Sequence, residues 1–254
     1  MRRYKGYLID LDGTLYIGKK RLYEAEQFIN TLLKKDIPFL CVTNNSTRSP
    51  NRIALFLKEK FNIIIDESFI YTSGLASIDY LKKQTIERIM VIGEDDLKQQ
   101  IVEAGFILDN CSPQMVIQGL DRACYYNQIK EACFAIQQGA TYVLTNSDEQ
   151  YPTEKGFIPG AGAIAKIIIA TTKITPLLIG KPSSIIMNGA VNKIGLAKQD
   201  LLMIGDNYNT DILAGINNGI DTLLTLTGVT QRKDLARVDI QPTYIVNHLG
   251  EWTI

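Results

Sequence analysis

Tyr7-Leu8-Ile9-Asp10-Leu11-Asp12-Gly13-Thr14 puts three apolar residues ahead of two acids that sit one residue apart, and a glycine follows. A short apolar run of this kind reads as a buried strand with the acids at its carboxyl end. In extended chain Asp10 and Asp12 point the same way, while Leu11 points opposite, towards a core. Gly13 permits a sharp exit from the strand. The same pattern of apolar run and polar ending recurs three times. Phe39-Leu40-Cys41-Val42 runs into Thr43-Asn44-Asn45-Ser46, and Leu177-Leu178-Ile179 into Gly180-Lys181-Pro182. Leu202-Met203-Ile204 runs into Gly205-Asp206-Asn207, with Asp211 a helical turn further on.

Amphipathic stretches separate these runs. The pattern predicts a helix over 24–34, with Ala25, Phe28, Ile29, Leu32 and Leu33 on one face, and another from Pro50 to about Lys60 capped by Ser49. A helix capped by Ser183 is predicted to end at Gly195, and one over 210–218 to stop at Gly219. The middle of the chain alternates in the same way, with strands at 88–93, 115–119 and 141–145 and helices at 95–104 and 127–138. Repeated strand–helix units predict an α/β protein with a doubly wound, mostly parallel sheet. Ligands bind along the carboxyl edge of such a sheet. The four polar endings are therefore expected to converge on one pocket.

Composition narrows the chemistry. Over 254 residues Lys+Arg and Asp+Glu are 27 each, so the formal net charge is +0. No basic excess favours nucleic acid or an anionic membrane. The most apolar window, 164–179, is interrupted by lysines and Pro176, so no membrane span is expected. Asp10 and Asp12 follow the basic start too closely for a secretory apolar segment, and a cytoplasmic location is expected. The four cysteines form no C-x-x-C pair, and His248 is the single histidine. Histidine-based metal sites and a Ser-His-Asp triad are thereby disfavoured. Chemistry must run on carboxylates, hydroxyls, amides and lysine.

These residue types suit phosphate. Of two carboxylates placed like Asp10 and Asp12, one can attack phosphorus while the other carries a proton. Each like-charge pair at 4 Å costs about 4 kcal/mol at an effective dielectric near 20, so positive charge must be supplied. Lys181 is one source, and a magnesium ion held by Asp10 and Asp206 is another. Thr43 and Asn44 can donate hydrogen bonds to phosphoryl oxygens.

Asp10-Leu11-Asp12-Gly13-Thr14, Thr43-Asn44, Lys181 and Gly205-Asp206 with Asp211 resemble the four motifs of the haloacid dehalogenase superfamily. The longer stretches Val-Thr-Asn-Asn-Ser-Thr-Arg-Ser, Ile-Gly-Lys-Pro and Ile-Gly-Asp-Asn-Tyr-Asn-Thr-Asp-Ile are similar to its NagD-like branch, whose members are described as acid sugar phosphatases. The resemblance implies a magnesium-dependent phosphatase that hydrolyses small phosphomonoesters, sugar or acid-sugar phosphates, through an aspartyl-phosphate. Asp10 would be the nucleophile and Asp12 the acid and then the base. Magnesium would sit on the Asp10 carboxylate, the Asp12 backbone carbonyl and Asp206. Thr43, Asn44 and Lys181 would hold the phosphoryl group, Asn207, Tyr208, Asn209 and Thr210 would line the same edge, and Asp211 would support the metal or Lys181 from behind.

The interval from Asn44 to Lys181 is far longer than a crossover needs. The resemblance implies a catalytic core at 1–78 and 178–254 and an inserted α/β cap at 79–177. Such a cap would close over the site, exclude water and select substrate. Asp148, in the loop Thr145-Asn146-Ser147-Asp148, is the cap residue picked out for specificity. Caps of this kind also leave a surface usable for a homodimer. A dehalogenase has no need of Asp12 or Asp206. A phosphotransferase or mutase on the same scaffold stays open, as does, with less support, a phospho-accepting sensor without turnover.

Overall fold

The computed structural model describes residues 2–153 and 155–254. The chain forms two compact units. The first comprises Met1–Thr43, Pro50–Tyr71 and Lys181–Ile254, and the second Asn44–Ser49 with Thr72–Gly180.

A six-stranded sheet organises the first unit, in the order Tyr244–Val246, Asp221–Thr225, Leu201–Gly205, Gly6–Ile9, Phe39–Thr43 and Ile70–Thr72. The pairings from Tyr244–Val246 through to Phe39–Thr43 are parallel, and Ile9 lies between Ile204 and Cys41. The three central strands are buried at every position, as continuous apolar sequences require when helices cover both faces. Helix Tyr23–Lys34 buries Ala25, Phe28, Ile29 and Leu32, the spacing of a single face. Phe28 meets Tyr7 edge to face, with ring centroids 5.7 Å apart.

The second unit has its own five-stranded parallel sheet, ordered Leu177–Leu178, Thr141–Leu144, Met115–Gln118, Arg88–Ile92 and Ile107–Leu108. Its core draws Met90, Ile92 and Val116 from the sheet, Ala132 and Ile136 from helix Tyr126–Gln137, and Ile168 from helix Ala161–Thr172. The fold class is thus α/β with two parallel sheets.

Some elements lie outside the pattern expected from sequence. Two short antiparallel ribbons, Tyr16–Ile17 with Lys20–Arg21 and Gln150–Thr153 with Gly156–Pro159, carry too few residues for a period-2 signal. Helix Ser73–Leu81 starts directly from strand Ile70–Thr72, with the Thr72 side chain capping Leu75 N–H. The helix expected over 210–218 is two pieces, a π-helical turn over Tyr208–Ile212 and an α-helix over Leu213–Asn217. The Asn207 side chain accepts from Asn209 N–H, and Asp211 folds back to accept from Asn207 N–H, which widens that first turn. Among the described residues no helix is long and apolar enough to cross a membrane.

Candidate active site

Asp10 is the first residue beyond strand Gly6–Ile9, and its N–H continues the ladder to Ile204 O at 2.9 Å. The side chain is therefore delivered at the sheet's carboxyl edge. Leu11 turns into the core, while Asp12 is exposed and bridges through its backbone to Tyr16. Gly13 carries φ of +93°, a left-handed conformation that side chains disfavour. A Cβ there would also strike the Asp206 carboxylate, as would one at Gly228.

Lys181 is 1 % exposed, and its ammonium donates to Asp10 Oδ1 at 2.6 Å and to Val42 O at 2.7 Å. It also lies 2.8 Å from Asp211 Oδ1. The ammonium thus ties the carboxyl ends of two neighbouring strands to the loop after a third. Asp206 follows strand Leu201–Gly205 and accepts from Val229 N–H at 2.6 Å and from the Thr14 hydroxyl at 3.2 Å. Asp211 accepts from Asn207 N–H at 3.1 Å through its other oxygen. Thr43 is buried at the end of strand Phe39–Thr43, the neighbour of Gly6–Ile9.

One carboxylate oxygen each from Asp10, Asp206 and Asp211 lies within 4.8 Å of the other two, and all three residues are buried. Together they face one buried ammonium, so two negative charges remain uncompensated if all are ionised. Burial pushes the Asp10 carboxyl well above the usual carboxylate range; Lys181 pulls it back, and Asp211 and Asp206 raise it further. Asp206 is pushed up to about 7 by burial and by Asp211, against the hydrogen bonds from Val229 and Thr14. Burial alone would lower the Lys181 ammonium, but Asp10 and Asp211 outweigh it and hold the group above its ordinary value. Asp211 Oδ1 is fully buried, and its partner is the Lys181 ammonium at 2.8 Å. Hard oxygen donors and excess negative charge suit a divalent cation. The donor set fits the metal site that the motifs imply.

The remaining sequence candidates fall in two places. Asn207, Tyr208 and Asn209 border a cavity of ≈ 230 Å³ with Val229, Thr230, Asp234 and Val238. The Tyr208 hydroxyl is directed to Ile240 O at 2.8 Å, and Thr210 lies half-buried in the π-helical turn. Asn44 and Asp148 belong to the second unit. There the Asn44 carbonyl accepts from Ser73 and Asn146, and Asp148 N–H donates to Asn146 Oδ1 at 3.2 Å. Sequence reasoning missed Thr14, the Gly228–Thr230 loop, Ser73 and Asn146. The loop had a usable signal, since Thr227-Gly228 follows the apolar strand Asp221–Thr225 just as the other polar endings do.

Two family models cover most of the chain: a haloacid dehalogenase-like hydrolase model matches residues 7–107, and a HAD-hydrolase-like model residues 178–252. The 5'-nucleotidase YutF of Bacillus subtilis (strain 168) is 41 % identical over 253 residues, covering 99 % of this chain and 98 % of that protein. The chain belongs to the haloacid dehalogenase-like hydrolases. An acid sugar phosphatase of Staphylococcus aureus (strain MRSA252) is 40 % identical over 99 % of this chain and 97 % of its own. The solved structure of NagD from E. coli K-12 superposes with a TM-score of 0.94 at 28 % identity, covering 99 % of both chains. Within the haloacid dehalogenase-like hydrolases the chain is a NagD-like phosphatase, a hydrolase acting on phosphoric monoesters.

Proposed function

We propose that this phosphatase is magnesium-dependent and hydrolyses sugar or acid-sugar phosphates through an aspartyl-phosphate on Asp10. The observation that carries the reading is the buried cluster in which Asp10 meets Asp206, Asp211 and the Lys181 ammonium. Asp10, Asp206 and the Asp12 carbonyl would hold the cation, with Asp211 supporting it or Lys181. When bound, the cation offsets the charge of the carboxylates and of the phosphoryl oxygens.

Asp10 attacks phosphorus and the bond to the ester oxygen breaks. Asp12, exposed beside it, passes a proton to the departing alkoxide, so the alcohol leaves neutral. Asp12 then takes a proton from water, whose oxygen attacks the phosphorus of the aspartyl-phosphate. Inorganic phosphate departs and the Asp10 carboxylate is restored. Lys181 compensates the transferred negative charge, and Thr43 and Asn44 donate to the phosphoryl oxygens. We assign residues 1–78 and 178–254 to this chemistry and 79–177 to a substrate-selecting cap, with Asp148 contributing to selectivity. Two relatives, one named a 5'-nucleotidase and one an acid sugar phosphatase, support a small phosphomonoester as substrate.

The test is hydrolysis of p-nitrophenyl phosphate by wild type and Asp10→Asn, each with magnesium and with chelator, followed by a panel of sugar, acid-sugar and nucleoside phosphates. The mechanism expects turnover that needs both Asp10 and the cation, with a loss of at least about a thousandfold in Asp10→Asn. An Asp10→Asn enzyme as fast as wild type would overturn it.

A further inference from the structure

Thr43 and Asn44 are consecutive, yet the segment Asn44–Ser49 packs as part of the second unit. Three sets of polar contacts hold it there. The Ser46 hydroxyl pairs with the Thr145 hydroxyl at 3.0 Å, and Ser49 N–H donates to the Asp96 carboxylate at 2.8 Å. The third set is at Asn44 itself, whose main-chain carbonyl accepts from Ser73 Oγ at 2.7 Å and from Asn146 Nδ2 at 3.0 Å. Both donors are buried.

A carbonyl oxygen has two lone pairs, and here both are used. Because the peptide is planar, two bonds to its oxygen hold the plane joining Asn44 to Asn45 and with it the Cα from which the Asn44 side chain departs. That side chain lies against Gly180, where a Cβ would come within 2.6 Å of Asn44 Oδ1. Asn146 has a second task, since its Oδ1 accepts from Asp148 N–H at 3.2 Å. One amide therefore links the Asn44 loop to the turn that carries Asp148.

We propose that Asn146 and Ser73 are positioning residues: by saturating the Asn44 carbonyl they hold Asn44 in the orientation that recognises a phosphoryl group. The inference rests on the reading of Asn44 as a phosphoryl ligand. Neither residue needs to touch the substrate, since both act through the Asn44 peptide.

The experiment uses the full chain with magnesium and inorganic phosphate as probe, measured by calorimetry beside KM and kcat for p-nitrophenyl phosphate. Asn146→Asp keeps the shape and the acceptor for Asp148 N–H, but an ionised carboxylate cannot donate to the carbonyl. Ser73→Ala removes the other donor. Each variant is expected to bind phosphate about tenfold more weakly and to raise KM in proportion, the effect of one lost buried hydrogen bond. The double variant is expected to lose less than the product, because both donors act at one carbonyl. Folded variants that shift only the melting temperature, with phosphate affinity unchanged, would overturn the proposal. Should Asn146→Asp fail to fold, Ser73→Ala alone decides. A wild type that neither binds phosphate nor turns over the ester would overturn the phosphatase mechanism as well. An active wild type beside unaffected variants would overturn the positioning role alone.

Discussion

Lys181 is almost fully withdrawn from water, and Asp10, Asp211 and the Val42 carbonyl help to sustain its charge. Replacing it with methionine leaves buried carboxylates without their counter-charge. In chelator, Lys181→Met is expected to cost about 3–5 kcal/mol in urea unfolding, the usual penalty for removing one partner of a buried pair. Asp206 gives a pH dependence whose sign can be worked out. Its folded value of about 7 lies above the unfolded 3.8, so the ion-free fold binds the proton more tightly than the unfolded chain does. That contribution is complete below the unfolded value and is lost as pH rises through about 7. The proposed cation would take the proton's place, so the rise in melting temperature given by magnesium is expected to grow from pH 5 to pH 8. An increment independent of pH would contradict this. Asp10, Lys181 and Asp206 were legible in the sequence because each follows an apolar strand. Asn146 and Ser73 were not, because their part depends on which carbonyl they reach, and spacing does not encode that.

Among the elements, the strand–helix alternation was readable wherever a segment was long enough to repeat its pattern. The central strands and helices Tyr23–Lys34, Pro50–Phe61 and Ser184–Ile194 fall where periodicity and caps placed them, within a residue or two. Ser183 caps the last of these by accepting from Ile185 N–H at 3.2 Å. Ser183→Ala is expected to cost about 1 kcal/mol by chemical denaturation. The turn after Asp10 is a stricter element, since Gly13 combines a positive φ with close approach to Asp206. Gly13→Ala is expected to weaken magnesium binding at least about tenfold by calorimetry, because the added methyl must displace the Asp206 carboxylate of the proposed site. What stayed unread at this scale was set by side chains bonding locally to backbone. The π-helical turn at Tyr208–Ile212 is the clearest case, made by Asn207 and Asp211 and not by propensity.

At the scale of the molecule, each unit has its own sheet and apolar core. Trp252 is the only tryptophan, and it is buried in the core of the first unit. Its fluorescence therefore follows that unit alone, whereas far-ultraviolet circular dichroism follows both. Ligand binding stabilises the folded form by mass action, so magnesium is expected to move the fluorescence transition in urea to higher denaturant. The dichroism curve is expected to shift by less or to split. Coincident shifts by both probes would show that the units unfold as one. The membership of Asn44–Ser49 in the second unit was illegible in the sequence, because contiguity gives no hint that the chain changes allegiance between Thr43 and Asn44.

The register that pairs Gly6 with Leu201 also has a meaning in time. A ribosome adding about 5–20 residues per second needs about 10–40 s to travel from the first of those strands to the second. During that interval all of 72–180 has been made and can complete its own sheet, while Gly6–Ile9 has one edge without its permanent neighbour. Gly6–Ile9 is thus enclosed long after it is made, and Asp10 meets Asp206 only after the whole of 72–180 has emerged.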